Sequence, residues 1–225
     1  MQPTELQRRL FDVALYLPAV ALAACVFWWR LEIPAIALFV VARVAYVLFT
    51  GLSLRAQAPR LGVETPEQGE ARYAAFHRQV LRFQNIDGCF TVTLAAATRG
   101  SWDLGMPGWV NWVAGVALVL IGLGFKGWAA RTLGTSSYTW HDFFVPKPNF
   151  VPVTTGPYRF LKDPMYTTGY LQVYGMALAL RSWQGLAAAV FSQITILLMN
   201  HLVEKPHFNG LCSKAAAKAP ELGAV

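Results

Sequence analysis

Charge is what this chain lacks. Of its 225 residues only 14% are Asp, Glu, Lys or Arg, and only 12 are acidic. A soluble domain of this length needs more charge to cover its surface, so a water-exposed globule is excluded. Cysteine is scarce as well. Cys25, Cys89 and Cys212 are too few and too irregularly spaced for a disulfide framework or a zinc site, and no metal is expected. They read as small apolar packing residues. No internal repeat is apparent.

Hydrophobic sequence is present in excess, at 55% of the chain, and it comes in blocks rather than at amphipathic spacing. The blocks run from Phe11 to Trp29, Ala35 to Thr50, Pro107 to Phe125, Met165 to Leu180 and Trp183 to Val203. Runs of about 17 to 25 apolar residues match a hydrocarbon core about 30 Å thick. The sequence therefore predicts an all-α, polytopic transmembrane bundle. The first block carries Trp28-Trp29-Arg30 where a signal peptide would need small residues, so it is expected to be retained.

The formal net charge is +7, yet the basic residues sit where a bilayer would put them. With the amino terminus inside, 15 of the 19 fall on cytoplasmic segments, Arg30, Arg99 and Arg181 on outer turns, and Arg43 within a span. That is the positive-inside pattern, with basic loops facing anionic lipid, and it needs no nucleic acid to explain it. Both termini are expected in the cytoplasm of a multi-pass protein of the cytoplasmic or inner membrane. The topology requires an even number of spans. The missing one falls near 84–97, apolar but short with Asp87 at its entrance, which makes six spans, with five as the alternative. Arg43 is expected to snorkel or to pair.

Residues 51–83 form a polar connection. Thr65 is a plausible N-cap with Pro66 at the first helical position. Tyr73, Phe76, Val80 and Phe83 then recur at helical spacing and could lie along the membrane surface. The second cytoplasmic loop, about 126–163, is rich in polar, aromatic and turn residues, including His141, Asp142 and Pro146-Lys147-Pro148-Asn149. Its length marks it as functional. The last two spans form a tight hairpin, beginning at an Asp163 cap with Pro164 and ending where Pro206 bends the helix. Gly175-xxx-Ala179 and Gly185-xxx-Ala189 give these two spans small faces for close packing.

The hairpin brings Tyr158, Arg159, Tyr166 and Gly169 toward His201, Glu204 and His207. A carboxylate directly after an apolar span is costly without a partner, which makes Glu204 a functional candidate. His201 and Glu204, three apart, share a helical face. Arg159 suits a carboxylate or phosphate. On these residues alone the site is a cytoplasm-facing pocket for a small anionic or zwitterionic molecule beside lipid.

Leu133-Gly134-Thr-Ser-Ser-Tyr138, Val153-Thr-Thr-Gly156-Pro157-Tyr158-Arg159, Lys162-Asp163-Pro164-Met165-Tyr166-Thr-Thr-Gly169 and Val203-Glu204-Lys205-Pro206-His207 occur in that order. The series resembles the carboxy-terminal half of the membrane-embedded methyltransferases, over roughly residues 126 to 208. That superfamily includes phospholipid N-methyltransferases and isoprenylcysteine carboxyl methyltransferases. The resemblance implies S-adenosylmethionine as methyl donor, held by Gly156, Pro157, Tyr158, Arg159, Pro164, Tyr166, Gly169 and Glu204. It implies a membrane lipid as acceptor, most simply the amine of phosphatidylethanolamine, with Glu204, His201 or His207 as proton acceptor and Arg159 holding an anionic group. The family usually has Arg-His where this chain has Lys162-Asp163, and Glu-Glu where it has Glu204-Lys205. Isoprenylcysteine carboxyl methylation is the alternative. NADPH-dependent sterol reductases share a similar half but usually carry Asn-Tyr where Met165-Tyr166 stands, and a non-catalytic binding module is a third reading. The chain divides at this stage into spans over 1–125, a catalytic region over 126–208 and a tail over 209–225.

Overall fold

The computed structural model describes residues 5–103, 105–145 and 152–222. Pro146, Lys147, Pro148 and Asn149 lie outside them. The helices are α1 (Glu5–Trp28), α2 (Glu32–Gln57), α3 (Pro66–Ala97), α4 (Gly108–Leu133), the short α5 (Thr135–Tyr138), α6 (Leu171–Ala179), α7 (Trp183–Met199) and α8 (Lys205–Leu222). No strand occurs among the described residues. Helix α4 runs through position 125 and α8 through position 208, so both expected boundaries fall inside helices.

Four helical stretches are long and apolar enough to cross a membrane: Leu10–Trp28, Glu32–Arg60, Gly108–Leu133 and Trp183–Ser213. Their outward faces carry the apolar side chains that lipid requires, such as Leu17, Val41, Leu120 and Leu202, each more than 60% exposed. Two further passes fall short of that standard, α3 because it is polar over its first half and α6 because it has nine residues. All the same, the turns after α1, α3 and α6 meet at one end of the bundle. Arg30 Nε donates to the Ala97 carbonyl at 3.3 Å, while Gly100 N and Trp102 N donate to Leu180 O and Arg181 O, each at 3.0 Å. Among the described residues the chain therefore makes six alternating passes.

The Thr65 cap forms as expected. Thr65 Oγ1 accepts from Gln68 N at 3.4 Å, and Gln68 Oε1 accepts from Thr65 N at 3.1 Å. The helix it starts does not stop at the membrane surface but continues for 32 residues through the weak third span. Nor do Phe76 and Val80 lie on lipid. Both are buried against Trp140, Phe143 and Phe144 of the second loop, because that loop folds back over them. His141 Nε2 to Glu70 Oε1 (3.0 Å) and Tyr73 Oη to Thr139 Oγ1 (2.5 Å) tie it down.

Three other expectations are corrected. Asp163-Pro164 does not start a helix. The Asp163 carbonyl accepts from Tyr166 N and Thr167 N in an open turn, and regular helix begins only at Leu171, since the Asp163 carboxylate is held 3.0 Å from Lys205 Nζ instead. Pro206 does not end the hairpin. A π-helical turn over Asn200–Glu204 leads directly into α8 and absorbs the proline, whose nitrogen has no proton to bond. The small face of α6 packs on α4 rather than on α7. A Cβ at Gly175 would lie 2.4 Å from Gly115 O, and one at Gly115 would lie 2.5 Å from Gly175 O.

Backbones that touch this closely leave no room for a methyl group. Gly175→Val is expected to destabilise the protein by at least the roughly 1–3 kcal/mol typical of overpacking, read as a lowered thermal midpoint in detergent. Gly124→Ala, whose Cβ would meet nothing within 4 Å, should leave the midpoint unchanged or raise it.

Candidate functional site

At the end opposite those turns, two chambers lie side by side. The smaller, about 360 Å³, is enclosed by the second loop, the 152–166 segment and the α7–α8 junction. The larger, about 570 Å³, extends between α3, α4 and α6 as far as Leu180. Tyr138, Trp140, Met165 and Tyr166 line both and form their common wall.

Glu204 stands in the smaller chamber, 7% exposed. The π turn aims it there, and its carboxylate accepts from Tyr166 Oη at 2.7 Å and from the Trp140 side chain. Trp140 is itself held with φ +62, ψ 23. A bulky residue in that left-handed region is strained, and such strain collects where a side chain must be aimed. The Tyr166 backbone is fixed in turn by Gln193 Nε2, which donates to its carbonyl at 3.0 Å. Asp163 and Lys205, two of the three positions at which the chain departs from the usual family pattern, meet as an ion pair at the chamber rim. Exposed as it is, such a pair is worth no more than about 1 kcal/mol and serves to position the neighbouring turn.

Among the described residues, two buried polar atoms in this chamber have no protein partner, Tyr158 Oη and Asn200 Nδ2. Burial pushes the Tyr158 and Tyr138 phenols above their usual value, so both keep their protons. The chamber thus offers aromatic faces, a carboxylate, Lys162 and uncommitted hydrogen-bonding groups. That donor set fits a molecule with a planar base, hydroxyls and a charged amino-acid tail.

Tyr158, Tyr166 and Glu204 come together in this chamber. Pro157 and Pro164 are buried just behind it. Gly156, at φ +58, packs its backbone on α4, where a Cβ would lie 2.5 Å from Thr132 Oγ1. Gly169 lies under the stem of Lys126. Arg159 is exposed, its guanidinium 5.7 Å from the ring of exposed Phe160. His201 is exposed while Glu204 is buried, because the π turn winds more slowly than an α-helix and separates the two faces. His207 stacks on Phe143, ring centroids 3.8 Å apart, behind the chamber. Among the described residues no three His, Cys, Asp or Glu side chains gather closely enough to hold a metal ion.

Sequence reasoning passed over Trp140, Asn200 and Lys126. Only a fold brings Trp140 to Glu204, 64 residues on in the sequence, although an invested aromatic in a long loop was a signal. It also left open what Arg43 does. Arg43 Nη1 donates to Asp87 at 2.8 Å, Nη2 to Tyr170 Oη at 2.7 Å and Ser192 O at 2.5 Å, and Nε to Thr195 Oγ1 at 3.0 Å.

Four helices long and apolar enough to cross a membrane, with two chambers side by side at one end of the bundle, define an integral membrane protein. Residues 110–214 match the family of phospholipid methyltransferases. The chain is similar to phosphatidylethanolamine N-methyltransferases of Lodderomyces elongisporus (29% identical over 122 residues), Clavispora lusitaniae (30% over 125) and Candida dubliniensis (33% over 98). These matches cover 54%, 54% and 43% of this chain but only 14%, 15% and 11% of the relatives, so the chain spans a small part of their length. No solved structure matches significantly. The likeness to that family lies in the carboxy-terminal half of the chain.

Proposed function

We propose that the chain transfers a methyl group from S-adenosylmethionine to the amine of phosphatidylethanolamine or its methylated forms, with the site on the cytoplasmic side. The observation that carries this reading is the common wall. A chamber suited to a soluble donor and a chamber open to lipid meet at Tyr138, Trp140, Met165 and Tyr166. The likeness to phosphatidylethanolamine N-methyltransferases supplies the acceptor.

S-adenosylmethionine, when bound, supplies an electrophilic methyl group. The chain's own residues do the rest. Lys162 is placed to hold a carboxylate, Tyr158 and Asn200 to bond neutral polar groups, and the rings of Tyr138, Trp140 and Tyr166 to face a cation. Methyl transfer is an in-line displacement, so holding donor and acceptor in line across the wall supplies much of the rate. An amine with a pKa near about 10 must first lose its proton. Glu204, bonded to Tyr166 at that wall, is the group placed to take it.

The test is transfer of label from methyl-labelled S-adenosylmethionine by purified protein in bilayers containing phosphatidylethanolamine. Label in mono-, di- or trimethylated lipid is the expected result. Stabilisation by S-adenosylhomocysteine without label would move the search to another acceptor, such as an isoprenylcysteine carboxylate. Absence of both label and stabilisation would overturn the proposal.

A further inference from the structure

The larger chamber contains a cation with no hydrogen-bonding or ion-pair partner among the described residues. Lys126 lines it, and among the described residues its ammonium makes no hydrogen bond and no ion pair. Its Nζ lies 5.4 Å from the centroid of the Tyr170 ring. Arg43, the other cation of the chamber, is consumed by Asp87, Tyr170, Ser192 and Thr195.

A lysine near the end of an apolar helix would ordinarily snorkel to the interface. Lys126 is kept inside by its passage over Gly169, where a Cβ would lie 2.8 Å from Lys126 Cγ and 3.3 Å from Cε. The chamber also keeps uncommitted acceptors. Asp87 Oδ1, on a residue 7% exposed, and Gln172 Oε1 are both buried without a donor among the described residues. Unsatisfied groups at this depth are expensive, which marks the chamber as built for a polar occupant. Its shape says which kind. Away from Lys126 the lining is apolar, with Val119, Leu123, Val173, Met176 and Leu180. Its side opens between α3 and α4, where Val92 and Leu123 are each 52% exposed.

We propose that Lys126, held in place by Gly169, binds the phosphodiester of the lipid acceptor, whose chains lie along the apolar lining between α3 and α4. The inference rests on the methyltransferase reading and adds to it the residue that fixes the acceptor. An anion at Lys126 leaves the headgroup beside the wall shared with the donor chamber.

The experiment compares wild type, Lys126→Gln and Lys126→Arg in bilayers of varied phosphatidylethanolamine content, with S-adenosylhomocysteine affinity and thermal midpoint measured alongside. A charged hydrogen bond is worth roughly 10- to 100-fold in affinity. The apparent KM for lipid should rise by about that factor in Lys126→Gln and be largely restored in Lys126→Arg, while S-adenosylhomocysteine affinity moves less than about twofold. An unchanged KM in Lys126→Gln, beside a wild type that does methylate the lipid, would overturn the role of Lys126 and leave the function standing. Lipid retained by the detergent-purified protein, weighed by native mass spectrometry, gives an arm independent of turnover. Wild type should keep phosphatidylethanolamine over diacylglycerol, and Lys126→Gln should lose that preference. Equal retention by both proteins, or displacement by millimolar inorganic phosphate, would sink the lipid assignment.

Discussion

Glu204→Gln is expected to slow methyl transfer by about 10²- to 10⁴-fold, the usual worth of a positioned general base. The substitution keeps volume and shape, so the α7–α8 junction should hold and S-adenosylhomocysteine should still raise the thermal midpoint. Two things change. The amide cannot accept a proton from an amine. It also turns one acceptor oxygen into a donor facing Tyr166 Oη and the Trp140 side chain, both of which already donate to this group. Tyr166→Phe separates the two effects, since it removes the hydroxyl that donates at 2.7 Å and leaves the carboxylate. It should cost less in turnover than Glu204→Gln. Near-wild-type turnover in Glu204→Gln would exclude the carboxylate as base. A loss of donor binding equal to the loss of rate would make it a binding group instead.

Much of this arrangement was legible because it is local. Blocks of apolar sequence gave the passes, Thr65-Pro66 gave the start of α3, and the order of the Gly156-Pro157 and Pro164-Met165-Tyr166 segments pointed to the chamber that Glu204 enters. What was hidden depends on geometry that spacing does not carry. The π turn changes which residues share a face, so His201 and Glu204 part company although three residues separate them. The glycines of α6 announced a close partner without naming it, and α4 took the place expected of α7. Trp140 and Lys126 looked like ordinary loop and helix-end residues. Only the folded chain shows one bonded to a buried carboxylate and the other bent over a glycine into a cavity.

The weak third pass was the hardest segment to read, and the reason is a pair 44 residues apart. The third pass looked short, with Asp87 at its entrance, and Arg43 stood inside the second, but each is the other's remedy. Their side chains are 4% and 10% exposed, with Nη1 to Oδ2 at 2.8 Å. Removing one partner strands the other in a medium that cannot solvate it. Arg43→Met alone is therefore expected to destabilise the protein by about 3–5 kcal/mol, the cost of breaking a buried pair. The double variant Arg43→Met with Asp87→Leu should recover most of that loss, because well-packed apolar side chains replace a buried pair at little or no cost. Thermal midpoints of wild type, both single variants and the double variant close the cycle. If the double variant is as unstable as the sum of the singles, the pair is not what makes these two residues tolerable. The hydrogen bonds of Arg43 to Tyr170, Ser192 and Thr195 would then carry the stability, tying α2 to the α6–α7 hairpin whether or not Asp87 is present.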